Sequence, residues 1–178
     1  AAIGKVGDLI TRLRAQGHTI KSFDMGGGLG IPYGDDAKSP PPPSEYGDMV
    51  KRLTAHMDVE LIFEPGRMIA GNAGILLSEV LYVKEGADRN FLIVDAAMND
   101  LLRPALYDAY HDIEPVAQPE KDTAQTKYDV VGPICETGDT FTKARTLPSM
   151  NAGDFLVMHS AGAYGAAQSS QYNTGPLV

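Results

Sequence analysis

Basic residues are scarce in this sequence. Fifteen Lys and Arg stand against 23 Asp and Glu, a formal net charge of -8. A surface of that sign repels polyphosphate backbones and anionic lipid, which argues against nucleic acid or a membrane as partner. Cysteine is scarcer still. Cys135 is alone in 178 residues, so no internal disulfide can form, and a reducing compartment, the cytoplasm, is expected. No apolar run reaches the roughly 18 residues that span a bilayer, and no basic segment leads into an apolar stretch at the start. His18, His56, His111 and His159 lack metal-ligand spacing, and one cysteine cannot build a zinc site, so no metal is expected. There is also no G-x-S-x-G nucleophile elbow.

What is there belongs to a folded chain. Hydrophobic residues make up 43% and charged residues 21%, and the length suits one ordinary domain or two small ones. Ile3, Val6, Leu9, Ile10 and Leu13 recur at helical spacing, so the chain opens in an amphipathic helix whose charged residues form a wet face and which stops near Gly17. "IKSFDM" reads as a strand. After a glycine loop, four consecutive prolines interrupt regular structure until a helix begins near Ser44, its expected N-cap. Asp35 and Asp36, in that proline-rich loop, read as solvent-exposed. "VELIFEPG" is the next strand, giving an α, β, α, β order with parallel strands, as in a barrel or a doubly wound sheet. From about Gly74 the pattern changes to "GILLSEVLYVKEG", "NFLIVDAA", "YDVVGPIC" and "GDFLVMHSAGAY", apolar or β-branched runs split by Gly, Asp, Asn and Pro. The expectation is an α/β part over residues 1–73 and an all-β domain, sandwich or barrel, over 74–178. A start without methionine and an apolar last residue suggest a piece of a longer protein.

Several constellations could carry chemistry. Gly26, Gly27, Gly28 and Gly30 follow the first strand, where bare consecutive amides can nest an anion or simply turn the chain. The dinucleotide pattern G-x-G-x-x-G fails at Ile31, and no Gly-Lys-Ser or Gly-Lys-Thr follows. "EPGR" puts Glu64, Gly66 and Arg67 at the end of the second strand, where catalytic groups of parallel α/β folds collect. Alone it reads as a turn with a surface ion pair. Further on, Arg103 and Tyr107 stand four apart and share a face if helical. Cys135 and Glu136 end an apolar strand, and Tyr164 sits among glycines. Each has a structural reading as well: Arg103 a solvated charge, Cys135 a small buried hydrophobe, Tyr164 a core aromatic.

Taken in order, "DMGGGLGIPY", "EPGR", "LLRPALYDAYH", "GPICETGD" and "GAYG" resemble the pyridoxal phosphate-dependent decarboxylases of alanine racemase-like fold, over essentially the whole chain. The resemblance implies the C-terminal part of a (β/α)8 barrel followed by a β domain, pyridoxal 5'-phosphate as cofactor, and a homodimer whose subunits share active sites. It implies that Gly26, Gly27, Gly28, Gly66, Arg67 and Tyr164 serve the cofactor phosphate and that Glu64 meets the pyridine nitrogen. It further implies that Arg67, Arg103, Tyr107, Glu136 and Tyr164 hold an amino diacid, with Cys135 as catalytic proton donor entering from the second subunit. Glutamate after the cysteine, where relatives acting on ornithine show aspartate, and the presence of Arg103 point to a diacid; a relative acting on another basic amino acid, such as ornithine, arginine or carboxynorspermidine, is the alternative within the class. The family's Schiff-base lysine and ring-stacking histidine have no counterpart here, and "YNTGPL" has glycine where the family usually shows arginine. The chain alone is therefore expected to be inactive. A non-catalytic cofactor-binding or dimerisation module is the other reading.

Overall fold

The structure is a computed structural model that describes residues 2–34 and 39–178. Asp35 and Asp36 lie outside the described residues. The chain divides into two compact units, Ala1–Ile31 with Lys38–Met68 and Pro32–Ala37 with Ile69–Val178.

In the first unit, helix α1 (Ala2–Ala15) buries Ile10 from the expected apolar stripe and brings Gly7 against Met57. It stops at Gly17, whose φ of 91° is left-handed, while His18 N–H donates to Leu13 O at 3.1 Å. Arg14 is not part of a wet face. Its guanidinium donates to the carbonyls of Met57, Ile20 and Asp58 at 2.6, 2.7 and 2.8 Å, tying the helix end to the segments that lead into both strands. Strand β1 (Ser22–Asp24), helix α2 (Pro43–Thr54) and strand β2 (Glu60–Ile62) follow, with β1 and β2 parallel and Phe23 opposite Leu61. Helix α2 starts one residue before Ser44. Pro42 is its N-cap, with Pro43 at the first position and no side-chain cap, because a proline pre-set in φ opens a helix without needing the hydroxyl. The two strands have no further partner among the described residues, and Ile62 and Phe63 are each 43% exposed. Helix α3 (Gly66–Ala70) begins directly after "EP".

The second unit is a six-stranded mixed sheet. Its strands are β3 (Leu76–Lys84), β4 (Asn90–Val94), β5 (Ile113–Pro115), β6 (Gln125–Val131), β7 (Thr140–Pro148) and β8 (Phe155–Met158), with helix α4 (Arg103–Tyr107) between β4 and β5. The order across the sheet is β5-β8-β3-β4-β6-β7. All neighbours are antiparallel except β4 and β6, which run parallel with Leu92 opposite Val130. The two outermost strands, β5 and β7, also touch, so the sheet is nearly closed. Val80, Leu92, Val94, Val130, Leu156 and Met158 are completely buried inside it. Strand β7 escapes the apolar-run reading because Lys143, Ala144 and Arg145 break its alternation; Ala144 has a φ of 50° and gives its N–H to Asp129 Oδ1 at 2.7 Å. Strand β5 is only three residues long and ends in proline, too short to leave a pattern.

Among the described residues, no helix is long and apolar enough to cross a membrane, and no group of three His, Cys, Asp or Glu could hold a metal ion. Leu92, fully buried at the centre of the sheet, sets the scale of the core's contribution. Replacing it by alanine is expected to cost about 3 kcal/mol, measured as a lower urea midpoint at unchanged slope.

Candidate functional site

The glycine loop is knitted to the end of β2. Met25 N–H donates to Ile62 O and Glu64 N–H to Gly26 O, both at 2.9 Å, so the two chain segments stay together for two residues beyond the strands. Gly26 and Gly28 adopt φ of 67° and 98°, a region that penalises any side chain. Gly27 is required for a different reason: a Cβ there would strike the carbonyl oxygen of Glu64. Gly26 N–H is already given to Asp24 Oδ1 at 2.8 Å. Within the loop, Gly27 and Gly28 remain exposed, and among the described residues their N–H groups have no backbone acceptor. Gly66 N–H turns back to Glu64 O at 2.8 Å. The amide that follows it belongs to Arg67, in the first turn of α3, where N–H groups lack intrahelical partners. Arg67 Nε is sealed from solvent and has no acceptor among the described residues. Glu64 itself is exposed. This end of the parallel strands therefore offers bare amides, a cation with an unspent donor and an accessible carboxylate.

In the second unit Arg103 is not a solvated charge. It is 8% exposed, its guanidinium lies 4.6 Å from the ring centroid of Tyr33, and one edge meets His111 Nε2 at 2.9 Å. No other side-chain or backbone acceptor engages the guanidinium among the described residues. A buried guanidinium with one bond made and other donors unspent is suited to gripping a carboxylate in a bidentate manner. The segment carrying Arg103 and Tyr107 is helical as anticipated, but Tyr107, at its far end, is 60% exposed while Arg103 is buried.

Cys135 and Glu136 lie in a turn shaped by Asp139. Its buried carboxylate accepts from Ile134 N–H and from Met98 N–H, each at 2.7 Å, and Gly132 is obligatory because a Cβ there would collide with the same carboxylate. Burial holds the Asp139 pKa above the usual carboxylate range, an effect that the two amide bonds oppose without cancelling. Cys135 is exposed, not buried. Glu136 Oε1 accepts from Tyr172 OH at 2.6 Å, and that carboxylate pushes the phenol pKa up. Tyr164 is exposed too, not a core aromatic; its φ of 63° is a strained conformation for a tyrosine. The loop bearing it is pinned by Ala161 N–H to Gly74 O at 2.9 Å and Gly162 N–H to Gly71 O at 3.1 Å.

His111 reads in the sequence only as a histidine without metal-ligand spacing, and Tyr33, Asp139 and Tyr172 carry no signal of their own, although each lies in or beside a motif: "DMGGGLGIPY", "LLRPALYDAYH", "GPICETGD" and "YNTGPL". Spacing rules look for ligands and nucleophiles, whereas these residues orient others.

The chain belongs to the pyridoxal-dependent decarboxylase family: a family model described as pyridoxal-dependent decarboxylase, C-terminal sheet domain, matches residues 6–162. Among curated relatives it is 50% identical over 178 residues to the diaminopimelate decarboxylase of Zymomonas mobilis, covering 100% of this chain and 42% of that protein. To the diaminopimelate decarboxylase of Vibrio cholerae it is 53% identical over 171 residues, 96% of this chain and 40% of the relative. The solved structure of diaminopimelate decarboxylase from Helicobacter pylori complexed with L-lysine superposes with a TM-score of 0.87 at 39% identity, covering 97% of this chain and 42% of that one. The chain thus spans about two-fifths of the length of the curated relatives it matches.

The residues present fit a phosphorylated pyridoxal cofactor. The open amides of Gly27 and Gly28 suit a phosphate, as does the unpartnered Arg67 Nε, and Glu64 is an accessible acceptor for a ring nitrogen.

A pH dependence of stability follows from His111. Burial lowers its pKa below the usual 6.5, as does the Arg103 cation; the bond to the His159 carbonyl opposes both. A lowered folded pKa means that the unfolded chain binds the proton first as pH falls, so stability is intact above about 6.5 and declines below it towards the folded value. Urea unfolding at pH 7.5 and pH 5.5 is expected to show this loss, and His111→Gln is expected to reduce the slope.

Proposed function

We propose that this chain is part of a diaminopimelate decarboxylase, which converts meso-2,6-diaminopimelate to L-lysine and CO2. The observation that carries the reading is Arg103, buried, stacked on Tyr33 and with donors unspent. A substrate with only one carboxylate, such as ornithine, gives such a cation nothing to hold. Identity near 50% with diaminopimelate decarboxylases over the length of this chain supports the same substrate.

Residues 1–73 belong to the C-terminal part of a (β/α)8 barrel in this reading, and residues 74–178 to the β domain. The exposed Ile62 and Phe63 on an otherwise unpartnered pair of parallel strands support the first. The nearly closed sheet supports the second. The protein acts in the cytoplasm as a homodimer, with Cys135 and Glu136 contributed across the subunit interface.

Pyridoxal 5'-phosphate, when bound, supplies the electron sink for the pair left behind as CO2 departs. The chain's residues do the rest. Gly26, Gly27 and Gly28 shape the loop that receives the phosphate, with the backbone of Gly66 and Arg67, and Tyr164 serves phosphate and substrate. Glu64 accepts a hydrogen bond from the pyridine nitrogen, and a carboxylate there keeps that nitrogen protonated. Arg103, with Arg67 and Tyr107, binds the substrate's remote carboxylate. Glu136, oriented by Tyr172, pairs with the remote ammonium group. Cys135 gives its thiol proton to the carbon that has lost CO2.

The full-length protein with cofactor is expected to release CO2 from meso-diaminopimelate and to yield L-lysine, whereas the 178-residue chain alone is expected to release none above background. Cys135→Ala is expected to lower kcat by about 100-fold or more with a smaller change in KM. Equal turnover of ornithine by the full-length protein would refute the diacid reading.

A further inference from the structure

The contact between Arg103 and His111 determines more than packing. A guanidinium can only donate, so the 2.9 Å contact requires His111 Nε2 to accept. The ring proton must then sit on Nδ1, where it is donated to His159 O at 2.8 Å. Both nitrogens are committed and the ring is neutral. His111 is 2% exposed, and the edge of the Tyr33 ring packs on it with centroids 5.5 Å apart.

Apart from the His159 carbonyl, which holds the Nδ1 proton in either state, the surroundings give an imidazolium no support. From α4 comes the Arg103 cation itself. From β7, Arg145 donates to the His111 carbonyl at 3.0 Å. The nearby carboxylates are taken: Asp112 pairs with Arg145 at 2.8 Å, and Glu114 with His159 Nε2 at 2.7 Å. Tyr110 OH lies against Asp112 and Arg145 and does not touch the ring. A second proton on His111 would remove the acceptor for Arg103 and place two cations in contact in a buried site.

Resting on the reading of Arg103 as the anchor for the remote carboxylate, we propose that His111 is its positioning residue. The neutral, Nδ1-protonated ring holds the guanidinium in place, and protonation of His111 releases it, weakening ligands that carry the remote carboxylate and sparing those that lack it. Decarboxylation at one carbon of diaminopimelate leaves L-lysine with the remote carboxylate still in place, so the product is a non-reacting reporter of this grip. Cadaverine, the same diamine without any carboxylate, is the control.

The test uses the full-length holoenzyme, with dissociation constants for L-lysine and cadaverine measured from pH 8 to pH 5.5. Affinity for L-lysine is expected to fall about tenfold as His111 protonates, the scale of one charge-assisted hydrogen bond, while cadaverine changes less than about twofold in the same range. His111→Gln, whose amide oxygen accepts from Arg103 at any pH, is expected to flatten the L-lysine profile. Crystal structures at pH 8 and pH 5 are expected to show the Arg103 to His111 contact kept and then lost. Parallel profiles for the two ligands, an unchanged slope in His111→Gln, or a contact that persists at pH 5 would each overturn the inference. Arg103→Gln separates the two levels: if it leaves L-lysine affinity unchanged, the substrate reading falls and this inference with it. If Arg103→Gln weakens L-lysine but the wild-type profile is flat, this inference alone falls.

Discussion

The second unit depends on one cation at the seam of its sheet. Arg145 on β7 has a side chain only 15% exposed, and its guanidinium reaches across to the segment that becomes β5. It donates to Asp112 Oδ1 and Tyr110 OH at 2.8 Å each and to the His111 carbonyl at 3.0 Å, while its face covers the Tyr110 ring with 4.5 Å to the centroid. An open six-stranded sheet would leave these two edges with unpaired backbone groups. Here the two edges come together without a backbone ladder between them, bridged by the Arg145 side chain, and the segment on the far side of that bridge also carries His111. Arg103, on a helix that lies against β7, takes its place from His111. The substrate reading therefore rests on a chain of contacts that begins with sheet closure.

Two different physical devices prepare the chain for anionic groups. Around Gly27 the device is the absence of side chains: the neighbouring backbone comes too close for a Cβ, and exposed amides remain. Around Arg103 it is the reverse, a cation desolvated by an aromatic face and a neutral imidazole. Burying an arginine is costly unless its donors are satisfied. Leaving donors open in such a site makes sense for a ligand that arrives with a carboxylate.

Much of the architecture was legible because strong patterns wrote it. The helix before Gly17, the two parallel strands and the four apolar strands β3, β4, β6 and β8 all appear where the runs of apolar residues put them. Strands β5 and β7 were not legible, since one is three residues and the other carries Lys143, Ala144 and Arg145 across its middle. The parallel pairing of β4 with β6 has no local signal at all, because long-range order is decided by packing. Ser44 illustrates a competition between two start signals, in which the proline before it won. At the sites, residue types announced the chemistry of Glu64, Arg103 and Cys135. Their environments were another matter: Arg103 looked solvated and is buried, while Cys135 and Tyr164 looked buried and are exposed. The orienting residues His111, Asp139 and Tyr172 act through other side chains or backbone amides, a role that only three-dimensional proximity reveals.

The most direct measurement is a crystal structure of the full-length protein with its cofactor and L-lysine. The lysine carboxylate is expected within hydrogen-bond distance of the Arg103 guanidinium, with Arg103 still against Tyr33 and His111. A carboxylate bound elsewhere, with Arg103 untouched, would contradict this.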